Sequence, residues 1–282
     1  MSPAEPEIRF VEAGGTRVRV SVAGIGPPLL LMAGIGGNIE MWEPLTRLLG
    51  HRRLIAFDAP GAGATPPLRG RVRMARLADV VAELVDRLGC GRVDVLGYSF
   101  GGALAQQFAR DHPQRVRRLI LAGTLPGLGG AQHPARMFQL LRLARTRDEH
   151  ERAVRVARLV GGRSGRDSEV LAVYERNRLE QSPTAAGHRH QMRTIAGWSS
   201  VTWLRTLKAP TLVLAGEEDP MVPLVNSRLL CRLIPDCRRH VVPGAGHLFL
   251  LDQPEDVAPV IDGFLGDAVS ARRLVRSTRQ SA

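Results

Sequence analysis

Aromatic residues are scarce, at 4% of the 282 residues. A core of this size must therefore be assembled mainly from Leu, Val, Ile and Ala, and a hydrophobic fraction of 44% supplies enough of them for one large domain. Lysine is almost missing: Lys208 is the single exception among 39 basic residues. The formal charge of +12 is thus an arginine charge. These arginines are scattered and not interleaved with aromatics, which argues against a nucleic-acid groove. The one dense run, Arg272, Arg273, Arg276 and Arg279 in the tail 269–282, reads as a solvated, frayed end. Cysteine is rare too. Cys90, Cys231 and Cys237 match no metal-ligand spacing, and their odd number argues against a disulfide framework. No metal or other cofactor is expected. Apolar runs are strand-sized, far short of a membrane span. Residues 1–15 offer acids and a proline where a signal peptide needs a basic start and an apolar run. The expected protein is soluble and cytoplasmic, with no linker, no internal repeat and a single domain.

What is present is a rhythm. Residues 16–23, 28–32 and 53–57 read as strands, the second continuously apolar as a strand buried on both faces should be. Leu77, Val81, Leu84 and Leu88 repeat at helical spacing, and Gly89 stops the helix. A buried strand at Val93–Leu96, a helix at Gly101–His112 ended by Pro113, and a strand at Val116–Ala122 follow. Strand alternating with helix predicts an α/β fold with a mostly parallel sheet flanked by helices. The rhythm breaks over about 124–203, which is mostly helical. It resumes with a strand at Pro210–Ala215, a helix at Pro223–Leu233, a strand at Arg239–Val242 and a helix at Glu255–Leu265. A helical insertion between late strands predicts a lid over the carboxyl ends of the strands, with a core of about 1–123 and 204–268. Its apolar positions Met137, Leu140, Leu141, Leu159, Val160, Leu171, Met192, Ile195 and Trp198 are expected to form lid core and, in part, an acyl pocket.

The strongest motif is Gly97-Tyr98-Ser99-Phe100-Gly101-Gly102, which follows a buried strand and opens a helix. That setting is a nucleophile elbow, where glycines admit close backbone approach and a tight turn lifts the serine hydroxyl clear of the sheet. A serine hydroxyl needs a base to take its proton. In the order Ser, acid, His of the α/β-hydrolase fold, the base falls on His247, in the Gly-containing loop past the last strand. His240 is the runner-up among the other histidines. The acid falls on Asp219, ahead of its neighbours Glu217 and Glu218, because Pro220 fixes the turn after it. The oxyanion donors are expected to be the backbone N–H of Phe100 and that of Ile35, in the loop Ala33-Gly34-Ile35-Gly36-Gly37-Asn38. This loop lacks the G-x-G-x-x-G pattern of a dinucleotide site.

The elbow with 101–109, the stretch from Gly197-Trp198 to Trp203-Leu204, Pro210–Gly216 with Asp219-Pro220, and Gly246-His247-Leu248-Phe249-Leu250 together resemble the intracellular medium-chain-length polyhydroxyalkanoate depolymerases. The likeness spans about 28–265 and departs in the Arg-rich insertion. It implies Ser99, Asp219 and His247 as the triad, a polyester or small-molecule ester as substrate, and a polyester granule surface as partner. The alternatives on the same scaffold are a small-ester, lactone, thioester or natural-product hydrolase or cyclase. A non-hydrolytic receptor is a separate class. A dehalogenase or epoxide hydrolase is disfavoured, since an aspartate would stand where Ser99 does.

Overall fold

A computed structural model describes residues 6–266, apart from 144, 145, 147, 162–164, 166, 182 and 183. The arginine run of the tail lies outside the described residues. Eight strands form one sheet: β1 (Glu7–Ala13), β2 (Thr16–Ala23), β3 (Pro28–Met32), β4 (Arg53–Phe57), β5 (Val93–Tyr98), β6 (Val116–Ala122), β7 (Thr211–Gly216) and β8 (Cys237–Val242). Their spatial order is β1-β2-β4-β3-β5-β6-β7-β8. β2 runs antiparallel to β1 and β4, and every later pairing is parallel. The sheet is mostly parallel, as the strand–helix rhythm predicts.

The alternation of side chains explains why the central strands are apolar throughout. Leu30 and Met32 of β3 join one core cluster while Leu29 and Leu31 join the other. β6 divides the same way, Leu119 and Leu121 against Ile120 and Ala122. Each strand is thus buried on both faces, as a parallel sheet between two helical layers requires. The first layer contains α2 (Met74–Arg87), α3 (Phe100–Asp111) and α8 (Val225–Leu233). On the opposite layer lie α1 (Glu43–Leu48), the short α9 (Phe249–Asp252) and α10 (Pro254–Gly266). Leu77, Val81 and Leu84 are fully buried, so the helical spacing identified the inner face of α2.

Among the described residues between β6 and β7 stand four further α-helices: α4 (Pro134–Leu143), α5 (Glu149–Val160), α6 (Ser168–Glu180) and α7 (Ala185–Ile195). Ala157, Val160, Leu171 and Tyr174 of this insertion pack with Leu248 and Leu251 of the core. Several insertion positions behave otherwise than expected. Met192 points outward, 40% exposed. Ile195 and Trp198 pack on the main core, and Trp198 Nε1 donates to Gln107 Oε1 on α3 at 2.8 Å. The side chains of Met137, Leu140 and Leu141 lie outside the described residues.

Two further features differ from the sequence reading. The chain opens with β1, an edge strand whose Ile8 and Phe10 are exposed, so no buried stripe marks it. Cys231 and Cys237 form a disulfide, because the return from α8 into β8 brings their Cα atoms to 5.1 Å. Cys90 is free and buried.

At the end of the sheet where β5 and β6 begin, the fully buried Asp94 accepts from Arg117 Nε at 2.8 Å, and its Oδ2 pairs with Arg117 Nη2. Arg52 stands 4.0 Å from Asp94 and donates to Asp262 on α10 at 2.8 Å. Asp94→Asn removes the buried countercharge of Arg117, whose side chain is 34% exposed, while Arg52 keeps Asp262, so it should lower the unfolding free energy by about 1–3 kcal/mol. Urea titration checks this, and an unchanged midpoint would mean that the network contributes no net stability.

Candidate active site

β5 runs into α3 with almost no connection, and Ser99 sits at the junction. Its φ is 53° and ψ −113°, and among the described residues it is the one non-glycine with positive φ. Such a conformation costs about 1–3 kcal/mol and persists only where the surroundings impose it. Here they do. Ser99 N–H donates to Ala122 C=O at 2.9 Å, and Ser99 C=O accepts from Gly102 N–H at 2.9 Å and Thr124 Oγ1 at 2.8 Å. A Cβ on Gly101 would overlap the Met32 carbonyl, so only glycine lets α3 start against β3.

His247 follows β8, directly after the loop Pro243–Gly246. Its Nε2 lies 3.1 Å from Ser99 Oγ and its Nδ1 2.7 Å from Asp219 Oδ2. Asp219 follows β7 and is buried, and its Oδ1 accepts from Met221 N–H at 2.8 Å and Val222 N–H at 2.9 Å. Those two donors fix the carboxylate and leave Oδ2 for the imidazole. Glu217 and Glu218 are exposed, and Glu217 Oε2 accepts from Gly244 N–H at 2.8 Å instead. Of the expected acids, the geometry brings only Asp219 to His247. His240 lies within β8, in register with Leu214, and takes no part in this cluster.

The backbone of His247 is also held at both ends. Its N–H donates to Val160 C=O, the last residue of α5, at 2.8 Å. Its C=O accepts from Tyr98 Oη at 2.8 Å. Burial pushes the Tyr98 phenol well above its usual range, helped by the nearby Asp219 charge, so it stays a neutral donor. Neither anchor was anticipated from the sequence. Tyr98 occupies the variable position of the elbow motif, and Val160 belongs to a distant helix.

The loop Ala33–Asn38 lies beside the elbow: a Cβ on Gly34 would stand 3.5 Å from Ser99 Cβ. The amides of Ile35 and Phe100 carry no hydrogen bond among the described residues. Ile39 N–H, just past this loop, donates to Asp58 Oδ1 at 2.9 Å. Burial raises the Asp58 carboxyl to about 6, against the pull of the Ala64 and Ile39 amides and the Arg19 guanidinium. A half-buried serine hydroxyl on an imidazole, a carboxylate oriented onto that imidazole, and two amides with no hydrogen bond among the described residues are the kind of parts that acyl transfer requires. Among the described residues, no group of three or more His, Cys, Asp or Glu side chains gathers to hold a metal ion.

Residues 27–254 match the model of the family described as alpha/beta hydrolase fold. The chain is 37% identical to a poly(3-hydroxyalkanoate) depolymerase of Ectopseudomonas oleovorans, over 91% of this chain and 92% of that one. It is 31% identical to a 2-hydroxymuconate semialdehyde hydrolase of Pseudomonas putida, over 93% and 96%. Among solved structures, a thermophilic esterase from Thermogutta terrifontis superposes with a TM-score of 0.78 at 28% identity, covering 92% of this chain and 98% of that one.

The geometry ranks the three acids of the β7 loop. Asp219→Asn should lower hydrolytic turnover by on the order of 10³–10⁴-fold, since the amide cannot hold the same imidazole tautomer or support its charge. Glu217→Gln and Glu218→Gln should stay within about threefold of wild type, as exposed side chains outside the cluster. Steady-state kinetics of the three variants checks the order, and a larger loss at either glutamate would move the role there.

Proposed function

The chain belongs to the α/β-hydrolase fold family and is a hydrolase, and from that premise we propose that it cleaves carboxylic esters through an acyl-enzyme on Ser99, acting on medium-chain poly(3-hydroxyalkanoate) or its oligomers. The observation that carries this reading is the unbroken chain from Ser99 Oγ through His247 to Asp219, at 3.1 and 2.7 Å, on a positive-φ elbow.

In this mechanism Ser99 Oγ attacks the ester carbonyl while His247 Nε2 takes its proton. Asp219 Oδ2 holds the Nδ1 proton and offsets the imidazolium charge. The N–H groups of Ile35 and Phe100 receive the carbonyl oxygen as it becomes an oxyanion. Collapse expels the alcohol, protonated by His247, and leaves the acyl group on Ser99. Water, deprotonated by His247, then attacks the acyl carbon and releases the acid. Because product alcohol and next ester belong to one chain in a polyester, each cycle shortens the polymer.

Residues 124–203 serve in this reading as a lid. Support comes from the packing of α5 and α6 on Leu248 and Leu251, just past His247. Met41, Leu159 and Met221 are only partly buried against that cluster and are assigned to the wall of an acyl channel. The polyester assignment draws on the 37% relative.

An apolar channel should reward each added methylene by about 0.8 kcal/mol, about fourfold in kcat/KM, until it is full. Measured across acetyl to dodecanoyl esters, kcat/KM should climb to a medium chain length and level off. A flat profile, or a maximum at acetyl, would contradict the polyester reading and leave a small-ester hydrolase.

A further inference from the structure

The peptide unit that joins Ile35 to Gly36 is gripped at both ends by the inserted helices. Its N–H, on Gly36, donates to Gln191 Oε1 of α7 at 2.7 Å. Its C=O, on Ile35, accepts from Arg178 Nη1 of α6 at 3.2 Å. Gln191 is fully buried, and its Nε2 donates to Pro60 C=O at 3.3 Å. One side-chain amide thus ties α7 to the loops that follow both β3 and β4. Asn38 adds a nearby tie, donating from Nδ2 to Asn177 C=O of α6 at 2.8 Å. α7 can come this close because glycine meets glycine: a Cβ on Gly187 would overlap the Gly61 carbonyl oxygen, and one on Gly61 would stand 2.8 Å from the Gly187 carbonyl oxygen.

This peptide needs holding. Gly36 has φ +61°, and without a Cβ it passes between left-handed and other conformations at little steric cost. A flip of the Ile35–Gly36 plane exchanges the directions of its C=O and N–H. The loop lies against the elbow, where a developing oxyanion requires N–H dipoles and is repelled by a carbonyl oxygen. Gln191 also occupies the Gly36 N–H, and the neighbouring Ile35 N–H has no acceptor among the described residues.

We propose that Gln191, seconded by Arg178, is a positioning residue that locks the Ile35–Gly36 peptide, keeps the Ile35 carbonyl turned to α6 and not to the oxyanion, and so preserves the Ile35 N–H, on the preceding peptide, as the donor. The inference rests on the assignment of Ile35 and Phe100 as oxyanion donors made above. Its consequence is that the inserted helices complete the catalytic electrostatics as well as covering the site. The oxyanion hole is in register only while α7 is seated on the Pro60–Gly61 turn.

The test compares wild type with Gln191→Leu, which removes both hydrogen bonds at similar volume, and Gln191→Glu, which keeps an acceptor for the Gly36 N–H. Each is assayed for kcat and KM on a medium-chain ester. Each is also titrated with a medium-chain alkyl trifluoromethyl ketone, which adds to the serine and places an oxyanion in the hole. Gln191→Leu should lower kcat by about 10–100-fold, less than outright loss of a donor, with KM within about twofold. The ketone should weaken by the same factor as kcat, and Gln191→Glu should recover most of both. Should Gln191→Leu fail to fold, Gln191→Asn, one methylene too short to reach the loop, carries the same expectation. A folded variant whose kcat and ketone affinity match wild type, or whose KM alone rises, overturns the positioning role. Wild-type protein that turns over ester but does not bind the ketone would remove the oxyanion assignment, and the proposal with it.

Discussion

The crossing of β5 into α3 at Ser99 is the constraint on which the rest of the site depends. A left-handed serine is tolerated because three backbone-directed hydrogen bonds from β6 and its following turn, and from α3 itself, over-determine it. The same crossing brings α3 against β3 so closely that a side chain at Gly101 cannot fit. Strand, turn and helix are consequently one rigid body. The loop after β3 inherits its position from that body, and the amide of Phe100 is left without an intrahelical partner, as the first turn of any helix must leave some.

A fixed nucleophile is useful only if its partners are fixed to the same frame. The sheet supplies that frame, since Asp219 and His247 emerge from the carboxyl ends of the adjacent parallel strands β7 and β8. Their loops are then pinned by local means. Asp219 is held by two amides of its own turn, and His247 by Tyr98 on one side and α5 on the other. The inserted helices therefore touch both halves of the site, the backbone of His247 through Val160 and the loop after β3 through Gln191 and Arg178. Movement of these helices off the core would break these ties.

The sheet was legible because β3, β5, β6 and β7 are buried on both faces and so read as continuous apolar runs. The helical stripe of α2 was legible for a related reason. β1 was not, since an edge strand exposed on both faces leaves no periodic mark. The Cys231–Cys237 pair was hidden because pairing depends on the tightness of a turn, which residue counts do not contain. Ser99, Asp219 and His247 could be chosen from their places after strands, and the structure brings them within hydrogen-bond distance of one another. Gln191 could not be chosen. It sits in a polar helix and reaches a glycine 155 residues away, a contact that no local pattern encodes. Trp198 and Met192 show the same limit: one apolar residue of the insertion docks on α3 and the other faces outward, and their spacing alone does not distinguish the two.

The account stands or falls on Ser99 as a nucleophile. Incubation with an alkyl fluorophosphonate, followed by peptide mass spectrometry, asks the question at the atom concerned. The account predicts a single stoichiometric adduct on the peptide containing Ser99, loss of ester hydrolysis in step with its formation, and neither labelling nor turnover in a folded Ser99→Ala variant. Wild-type turnover in that variant, or an adduct on another residue that tracks the loss of activity, would contradict it.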